Sequence, residues 1–466
     1  MHKKLLQLAI LTVVITTQAQ DTIPKYRSVL FQGVPHVLQK PDFCGEASAE
    51  MFLRKLGENM DQDYVFDRSG ANPSEGRGAH AAELAAALEE IGFNVGNVWS
   101  PLENEAELEE QFSALHRDLV NKIPSIVCMH FSKDDDDEHF RLVLGYDARE
   151  DAVIYHESSE PEGSYLRMPR DEFMELWALQ GQFQWGVIRM RLDAEDLDYG
   201  DASDGLTGAD FAQHVLKLKE TIPDGFTVVV EKPFVVIGDA HQVEVTGHST
   251  GLVRRSVELL KKDFFVKNPE DIINIWLFKD DISYRHHTQT IFGHSPDTPY
   301  GYYSNRHKAL VMNISTGGGT LVHEIVHPFI HSNFPQCPAW FDEGLASLYE
   351  YPAAVNGHIR GLVNWRLPYL KTAIITDRLP RFEWLMSQTE DQFYGEDPGS
   401  NYAQSRYLCY YLQEKGLLVD YYHAFYENRH DDPTGIDTLM KLLQIDDIAQ
   451  FQEDWQAWVM KLRENS

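Results

Sequence analysis

The sequence predicts an α+β protein of two domains. In the first half, stretches with helical spacing of apolar residues come first and strand-like runs follow. The second half begins with strands and helices mixed, and it reads as almost wholly helical from residue 318 onward. Between the halves, residues 196–210 are acidic and Gly-containing with few large apolar side chains, which is typical of a linker. We therefore place one domain at 21–195 and the other at 211–466.

Periodicity predicts the elements of the first half in order. Helices are expected over "CGEASAEMFLRKLG", which ends at Gly57, over "HAAELAAALEEIG" and over "ENEAELEEQFSALHRDLVNK". Strands are expected at "PSIVCMHF", "HFRLVLGYD", "DAVIYHES" and "WGVIRMRL". The run "DDDDE" at 134–138 is interpreted as a solvated loop before His139, with a calcium site as the alternative.

The second half contains strand-like runs before its helical part. These are "FTVVVEK", "FVVIGD", "INIWLFKD" and "KALVMNIS", with a helix predicted over "GLVRRSVELLKKDFF". The last of these strands directly precedes a histidine-rich helix. We expect that strand to lie along a cleft and to hold an extended substrate.

Composition and charge limit the class of protein. The chain has 466 residues, 43% of them hydrophobic, and a formal net charge of −31. Such acidity without a basic stripe argues against nucleic acid as a partner. Residues 1–20 combine Lys3, Lys4 and a short apolar run, which predicts a signal peptide, a secreted or periplasmic protein and no stable membrane insertion after its removal. Cys337 and Cys409 are a candidate disulfide pair.

The stretch "GGGTLVHEIVHPFIHSNF" contains an H-E-x-x-H pattern. On a helix, positions four apart are separated by about 40° around the axis and about 6 Å along it, so His323 and His327 can both reach one ion. A catalytic zinc ion takes three protein ligands and leaves one position for water. Glu324 flanks that position and is placed to accept a proton from the water. The pattern predicts a zinc site.

Two residues compete to be the third ligand. Glu343 follows His327 by sixteen residues in "PAWFDEGLASLYE", and a return helix would bring it back to the ion. His331 lies about 12 Å along the axis from His323, too far to share an ion on a straight helix. A kink at Pro328 would change that distance. Glu343 is therefore preferred, and His331 is the alternative.

H-E-x-x-H followed by W-x-x-E-G-L-A resembles the gluzincins, the thermolysin-like zinc peptidases, in their peptidase MA-like branch. The resemblance covers about residues 225 to 465. It implies a zincin domain in which the two histidines and Glu343 hold zinc and Glu324 is the general base. It also implies that Tyr402 stabilises an oxyanion, the alternative being a packed aromatic side chain. Asp342 is interpreted as a carboxylate at a helix start.

A second candidate site surrounds "LQKPDFCGEASAEM". Cys44 begins a predicted helix, and a helix N-terminus favours the thiolate. Gly45 lets a substrate approach the backbone, and Gln39 offers a side-chain donor to the same oxyanion. His139, at the start of a strand, is the candidate base, and Glu157, at the end of the next strand, is placed to orient its ring.

The order Gln, Cys, His, acid resembles the papain-like cysteine peptidases, most closely the bacteriocin-leader-peptidase group. The motifs "VLQKPDFCGEAS" and "HFRLVLGYD" carry this resemblance. It implies a papain-like domain with Cys44 as nucleophile, His139 as base and Gln39 in the oxyanion hole. Together with the zinc motif, it predicts an exported two-domain peptidase that acts on peptides or proteins.

The first domain departs from that family at the acid. Members usually carry Asp or Asn, commonly followed by Pro, where this chain has Glu157 and Ser158; His156 is interpreted as a strand residue that faces the other way. The alternative is an inactive binding or regulatory domain, which a distance above about 5 Å between the Glu157 carboxylate and the His139 ring would favour. A third hypothesis, two binding domains with structural zinc, conflicts with Glu324, since a structural site needs no base.

Overall fold

A computed structural model describes residues 25–180, 184–194, 197, 205–304, 306–395 and 397–463. The chain divides into two compact units, Met1–Val65 with Ala79–Tyr199 and Phe66–Gly78 with Gly200–Ser466. Residues 66–78, which the predicted boundaries put in the first domain, thus belong to the second unit. The predicted signal peptide at 1–20 and most of the predicted linker lie outside the described residues. The first helix of the second unit already begins at Gly208, with Thr207 as its N-cap, inside the predicted linker.

The first unit contains the predicted helices and strands together with several short strands. Its elements are β1 (Val29–Leu30), α1 (Cys44–Leu56), α2 (Gln62–Arg68, which runs into the second unit), α3 (Ala81–Ile91), β2 (Phe93–Asn94), β3 (Trp99–Leu102), α4 (Glu105–Val120), β4 (Ser125–Ser132), β5 (Asp135–Asp147), β6 (Ala152–His156), β7 (Leu166–Pro169), α5 (Arg170–Trp177), β8 (Leu179–Gln180), β9 (Trp185–Arg191) and β10 (Asp193–Ala194). The predicted end of α1 is confirmed: Gly57 caps it with φ 96°.

An antiparallel sheet in the order β3-β9-β4-β5-β6-β7 forms the centre of the first unit. Because successive strand residues face opposite sides, Ile126 and Leu142 pack with α1 and α3, whereas Val127 and Val143 pack with α4 and α5. The acidic run was predicted to be a loop, and that prediction is wrong. Its residues from Asp135 onward begin β5 and pair with β4, and their charges stay solvated because this end of the hairpin is exposed.

The second unit combines a sheet with a helical body. Its elements are α6 (Gly208–Lys219), β11 (Thr227–Glu231), β12 (Phe234–Gly238), α7 (Gln242–His248), α8 (Arg255–Asp263), β13 (Ile273–Phe278), α9 (Asp281–His287), β14 (Gly301–Ser304), β15 (Ala309–Asn313), α10 (Gly319–Asn333), α11 (Ala339–Leu348), β16 (Pro352–Val355), β17 (His358–Gly361), α12 (Arg366–Ile375), α13 (Phe382–Ser387), α14 (Glu390–Gly395), α15 (Pro398–Glu414), α16 (Leu418–Asn428), α17 (Ile436–Leu443) and α18 (Ile448–Val459).

The sheet of the second unit has the order β11-β12-β13-β15-β14. β12, β13 and β15 are parallel, and β14 runs antiparallel to β15 at the edge. The strand expected to hold a substrate, β15, is paired on both sides, so its backbone hydrogen bonds are already used. That expectation is wrong for β15. The open edge next to it belongs to β14, and α10 packs against both strands.

The C-terminal part is helical except for one hairpin. β16 and β17 pair around Asn356 and Gly357, whose φ values are 54° and 76°. Both positive angles fit the tight turn that Asn-Gly sequences favour, so the expectation of an almost wholly helical region from residue 318 misses this turn. α11 is buried along its whole length and packs against α15.

Two further expectations concern the cysteines and the membrane. All four cysteines are free thiols, so the candidate pair Cys337 and Cys409 does not form a disulfide. Among the residues that the structure describes, every helix is too short or too polar to span a bilayer.

Candidate functional sites

The thiol of Cys44 lies at the junction of α1 and β5. Cys44 is the first residue of α1 and is half-buried. Its Sγ accepts a hydrogen bond of 3.5 Å from the backbone N–H of Phe140, the residue that follows His139. A Cβ atom on Gly45 would lie 2.5 Å from the end of the Leu84 side chain, so a larger residue here would require Leu84 to shift. The fold therefore brings the predicted nucleophile and the predicted base to adjoining positions.

The predicted acid contacts the predicted base directly. His139 Nε2 and Glu157 Oε1 are 2.5 Å apart, and both side chains are buried. The ring of Phe131 packs edge-to-face against the imidazole with a centroid distance of 5.2 Å. The separation of 2.5 Å between the Glu157 carboxylate and the His139 ring lies well inside the limit of about 5 Å above which an inactive domain would be favoured.

Two residues that the sequence interpretation did not include hold the Glu157 carboxylate. Arg141 Nε donates to Oε2 at 2.7 Å, and the N–H and hydroxyl of Ser159 donate to Oε1 at 3.0 and 2.9 Å. Burial raises the pKa of Glu157, but the hydrogen bond and electrostatic interaction with His139 and the positive charge of Arg141 outweigh burial and lower the pKa to about 2. The longer carboxylate is therefore fixed and ionised.

The electrostatic environment of Cys44 differs from the expectation. Burial raises the pKa of the thiol to about 12, and the charges of Glu46 and Asp42 add to that increase. The N–H groups of Phe140 and Gly45 lower the pKa by less. Desolvation thus exceeds the effect of the helix N-terminus that was expected to favour the thiolate. At neutral pH the resting group is a thiol, which needs a base.

Gln39 lies beside the loop that follows β6. The hydroxyl of Ser158 donates to Gln39 Oε1 at 2.9 Å, and the backbone N–H of Gln39 donates to the Ser158 carbonyl at 2.9 Å. His156 is fully buried against Tyr165, at a ring distance of 4.5 Å, and Met51. His156 is therefore a core residue, as its interpretation as a strand residue facing the other way anticipates.

In the second unit, α10 and α11 bring the predicted zinc ligands together. The ligand atoms of His323, His327 and Glu343 all lie within 4.8 Å of one another. Glu343 Oε2 is 3.3 Å from His323 Nε2 and 3.8 Å from His327 Nε2. Ligands at about 2.05 Å in a tetrahedral arrangement are about 3.3 Å apart, so these separations suit one zinc ion. Gly319, the first residue of α10, lets this helix approach the Glu350 carbonyl closely. A Cβ at that position would lie 2.1 Å from the carbonyl oxygen.

The helix continues through Pro328, and its residues run to Asn333. His331 is exposed and its Nε2 lies 3.2 Å from Asp342 Oδ2. The proline therefore does not bring His331 towards His323. The structure brings His323, His327 and Glu343 together and leaves His331 outside this set.

A carboxylate outside the ligand set holds His327, and a second lies near His323 without a hydrogen bond to it. Asp342 Oδ1 is 2.7 Å from His327 Nδ1, and Glu350 Oε1 is 3.5 Å from His323 Nδ1. Arg366 pairs with Glu350 through two contacts of 2.6 and 2.9 Å. Asp342 lies in the first turn of α11, as its interpretation as a helix-start carboxylate states, and it also contacts the predicted ligand His327; Glu350 was missed. The contact of Asp342 at Nδ1 leaves Nε2 of His327 as the nitrogen that faces Glu343.

Two tyrosines flank Glu343. The hydroxyl of Tyr394 donates to Glu343 Oε1 at 2.8 Å, and the sequence interpretation missed this residue. Tyr402 lies with its ring 6.4 Å from that of His323, at 23° between the planes. Burial and the nearby Glu343 raise the pKa of both phenols well above the ordinary value, so both remain proton donors at neutral pH.

The residues present fit a zinc ion. Glu343 Oε2 is buried, and no well-directed hydrogen bond reaches it from any described residue. Burial lowers the pKa of His327, but Asp342, Glu343 and Glu324 outweigh burial and raise it. The negative electrostatic potential of these three carboxylates favours a positive ion between the ligands. Two imidazoles and one carboxylate are also a donor set that zinc prefers in catalytic sites.

Comparisons with known proteins concern the first unit. Residues 31–184 match the Peptidase_C39 like family, and this region is a Peptidase_C39-like domain. No curated protein matches the chain. Among solved structures, the peptidase domain of Streptococcus ComA, a bi-functional ABC transporter involved in a quorum-sensing pathway, is similar at 19% identity over 34% of this chain and 98% of that chain, with a TM-score of 0.24. A double glycine motif protease from an AMS/PCAT transporter, in complex with the leader peptide, is similar at 17% identity over 35% and 97%, with a TM-score of 0.23.

The family match bears on only part of the prediction. It confirms a peptidase-type domain in the first half, with an α+β fold, and peptide substrates follow from it. It ends at residue 184, so residues 66–78 are the only part of the second unit that it includes. The thermolysin-like assignment of that unit therefore stays a prediction.

Proposed function

We propose that this chain is a peptidase with two sites, a cysteine site in the first unit and a zinc site in the second. Two observations carry the first part, within a Peptidase_C39-like domain: the bond of 2.5 Å between His139 and Glu157, and the hydrogen bond from the N–H of Phe140, the neighbour of His139, to the Cys44 thiol. The convergence of His323, His327 and Glu343 carries the second part.

In the first unit, Cys44 attacks the scissile carbonyl as a thiol that loses its proton during the attack. Glu157 engages Nε2 of His139, which leaves Nδ1 to accept that proton. The buried, ionised carboxylate then stabilises the imidazolium that forms. The N–H of Cys44 at the start of α1 and the side-chain amide of Gln39 donate to the oxyanion. The C–N bond then breaks as Nδ1 of His139 gives its proton to the leaving amine, which leaves a thioester on Cys44 that water hydrolyses.

In the second unit, side chains of the protein bind the ion, accept a proton and donate a hydrogen bond to the substrate. When bound, zinc supplies Lewis-acid polarisation of the scissile carbonyl and of water. Glu324, next to the ligand His323 and half-buried, accepts a proton on its carboxylate. The phenol of Tyr402, which lies beside His323, donates to the developing oxyanion.

An extended peptide fits the second unit at the edge of its sheet. Among the described strands, β14 pairs only with β15, and α10 packs against β14; a peptide can add to such a sheet edge through main-chain hydrogen bonds. Because residues 1–20 have the pattern of a signal peptide, we propose that the substrates are met outside the cytoplasm, in a secreted or periplasmic setting.

Selective inhibition of the wild-type protein tests the two-site proposal. A peptide library is digested with no addition, with iodoacetamide or with 1,10-phenanthroline, and the products are identified by mass spectrometry. We expect iodoacetamide to remove one set of cleavages and the chelator to remove another. The Cys44→Ala variant, digested in parallel, should lack the first set and should be insensitive to iodoacetamide. Cleavage that resists both reagents would contradict the proposal.

A further inference from the structure

We propose that Ser158 is a positioning residue for Gln39, so that it sets how well the oxyanion hole of the cysteine site works. This inference rests on the proposed function of the first unit and adds a residue that the sequence interpretation gave no role. Two contacts carry it: the Ser158 hydroxyl donates to Gln39 Oε1 at 2.9 Å, and the Gln39 N–H donates to the Ser158 carbonyl at 2.9 Å.

The chemistry of the amide explains why the first contact matters. A glutamine side chain ends in one acceptor oxygen and one NH₂ donor, and only the donor can stabilise an oxyanion. With Oε1 of Gln39 engaged by Ser158, the NH₂ group is the end that remains available to the substrate. Rotation of the amide by 180° would present an oxygen to the oxyanion instead, and the bond to Ser158 opposes that rotation.

Burial makes the contact effective. Ser158 is only 1% exposed, so water does not compete strongly for its hydroxyl. Gln39 is half-buried and lies at the accessible side of the contact. A hydrogen bond shielded from water holds its acceptor more firmly than an exposed one. The donor is therefore fixed in place before a substrate arrives, and little reorganisation is needed during the reaction.

The same loop also serves the base. Glu157, the neighbour of Ser158, holds His139, and the N–H of Ser159 donates to the Glu157 carboxylate. The Glu157 carbonyl lies 2.7 Å from His36 Nε2, on the segment that carries Gln39. Consecutive loop residues thus support the imidazole and the oxyanion donor. We infer that the loop aligns both groups relative to Cys44.

Two reagents that modify Cys44 by different routes distinguish a loss of oxyanion positioning from a general structural effect of a Ser158 variant. p-Nitrophenyl acetate acetylates the thiol: the S–C bond forms, the ester C–O bond breaks, and the thiol proton passes through His139 to the leaving p-nitrophenolate. This route forms an oxyanion. Iodoacetamide alkylates the same sulfur with loss of iodide and forms no oxyanion. Both rates are measured on the full chain by mass spectrometry of the peptide that contains Cys44, with Cys44→Ala as the background.

We expect Ser158→Ala to slow acetylation by about 3- to 10-fold, the usual worth of one neutral hydrogen bond, and to leave alkylation unchanged within about twofold. Ser158→Thr, which keeps the hydroxyl, should restore the acetylation rate. Gln39→Ala should slow acetylation by about 100-fold or more, and adding Ser158→Ala to it should have no further effect.

The outcomes that overturn the inference are distinct from those that overturn the proposed function. Normal acetylation in Ser158→Ala, beside slow acetylation in Gln39→Ala, would remove the role of Ser158 and keep that of Gln39. Equal slowing of both reactions in Ser158→Ala would show a general structural effect and would also reject positioning. Normal acetylation in Gln39→Ala would reject the oxyanion role itself, and the inference with it.

Discussion

The two units build their candidate sites in opposite ways. The cysteine site assembles residues from a helix start, from β5 and from the end of β6, with 94 residues between Cys44 and His139, and its acid and base already contact each other. The proposed metal site takes its ligands from two consecutive helices within 21 residues, and Glu343 Oε2 has no well-directed partner in the described part of the chain. In the first site the acid and base are hydrogen-bonded to each other, whereas the second has the donor set that we propose for a zinc ion.

The two sites also differ in their charge: the first is balanced, and the second is rich in carboxylates. In the first unit, the guanidinium of Arg141 balances Glu157, and the nucleophile is a neutral thiol. In the second, the carboxylates of Glu324 and Asp342 act on imidazoles that no described guanidinium contacts directly. A net negative cavity binds a divalent ion well. Each of the following experiments alters one side of this contrast.

The largest effect is expected from loss of the proton acceptor in the metal site. Glu324→Gln keeps the size of the side chain but removes its basicity, so cleavage that is sensitive to 1,10-phenanthroline should fall by about 10²- to 10⁴-fold in kcat/KM. Zinc content, measured by elemental analysis, should stay at the wild-type level. Unchanged cleavage would show that Glu324 does not act as the base.

Removal of a ligand should abolish metal binding itself. In Glu343→Ala, we expect zinc affinity to fall by more than about 100-fold, beyond the range that outer-shell changes produce. Competition with a fluorescent chelator measures it. Glu427→Ala is the matched control, because Glu427 is exposed on α16 and lies outside the ligand set. Wild-type affinity in Glu343→Ala would contradict the predicted set.

A smaller effect is expected from the carboxylate that orients His327. Asp342→Asn removes the charge that faces Nδ1 at 2.7 Å, so zinc affinity should fall by about 10- to 100-fold. Asp420→Asn, a change of the same chemistry at an exposed position, should leave the affinity unchanged. Equal affinities for the two variants would mean that Asp342 only begins a helix.

The smallest effect concerns acid stability of the cysteine site. The folded pKa of Glu157 is about 2, below its ordinary value of 4.5. Its contribution to stability is therefore fully present above about pH 4.5 and is lost as the pH falls towards 2. Hydrogen exchange of peptides that cover residues 139–159 should show falling protection over that interval. In Glu157→Gln the decline should be shallower, and an identical decline would reject the assignment.

Local sequence patterns predicted what depends on local geometry. The spacing of His323 and His327 follows from the helix repeat, and Gly57 ends α1 as its conformation allows. The hairpin at Asn356 and Gly357 was missed although its Asn-Gly turn is a recognised local signal. The segments on both sides of the Asn-Gly turn have helical patterns, so the region was predicted to be helical throughout.

Features that depend on how elements cross could not be read from the sequence. Tyr394 reaches Glu343 from 51 residues away, and Asp342 meets His327 only because α10 and α11 pack closely. The pairing of β15 on both sides depends on β14, a short segment with no clear strand pattern. The pKa of Cys44 depends on burial, which helix position alone does not determine.

One comparison of four proteins tests most directly whether the two units carry separate chemistries. Wild type, Cys44→Ala, Glu324→Gln and the double variant are digested against the same peptide library, and the cleavage products are quantified. The account predicts that each single variant loses a different set of cleavages and that the double variant loses both. A double variant that cleaves like wild type, or single variants that lose the same set, would contradict it.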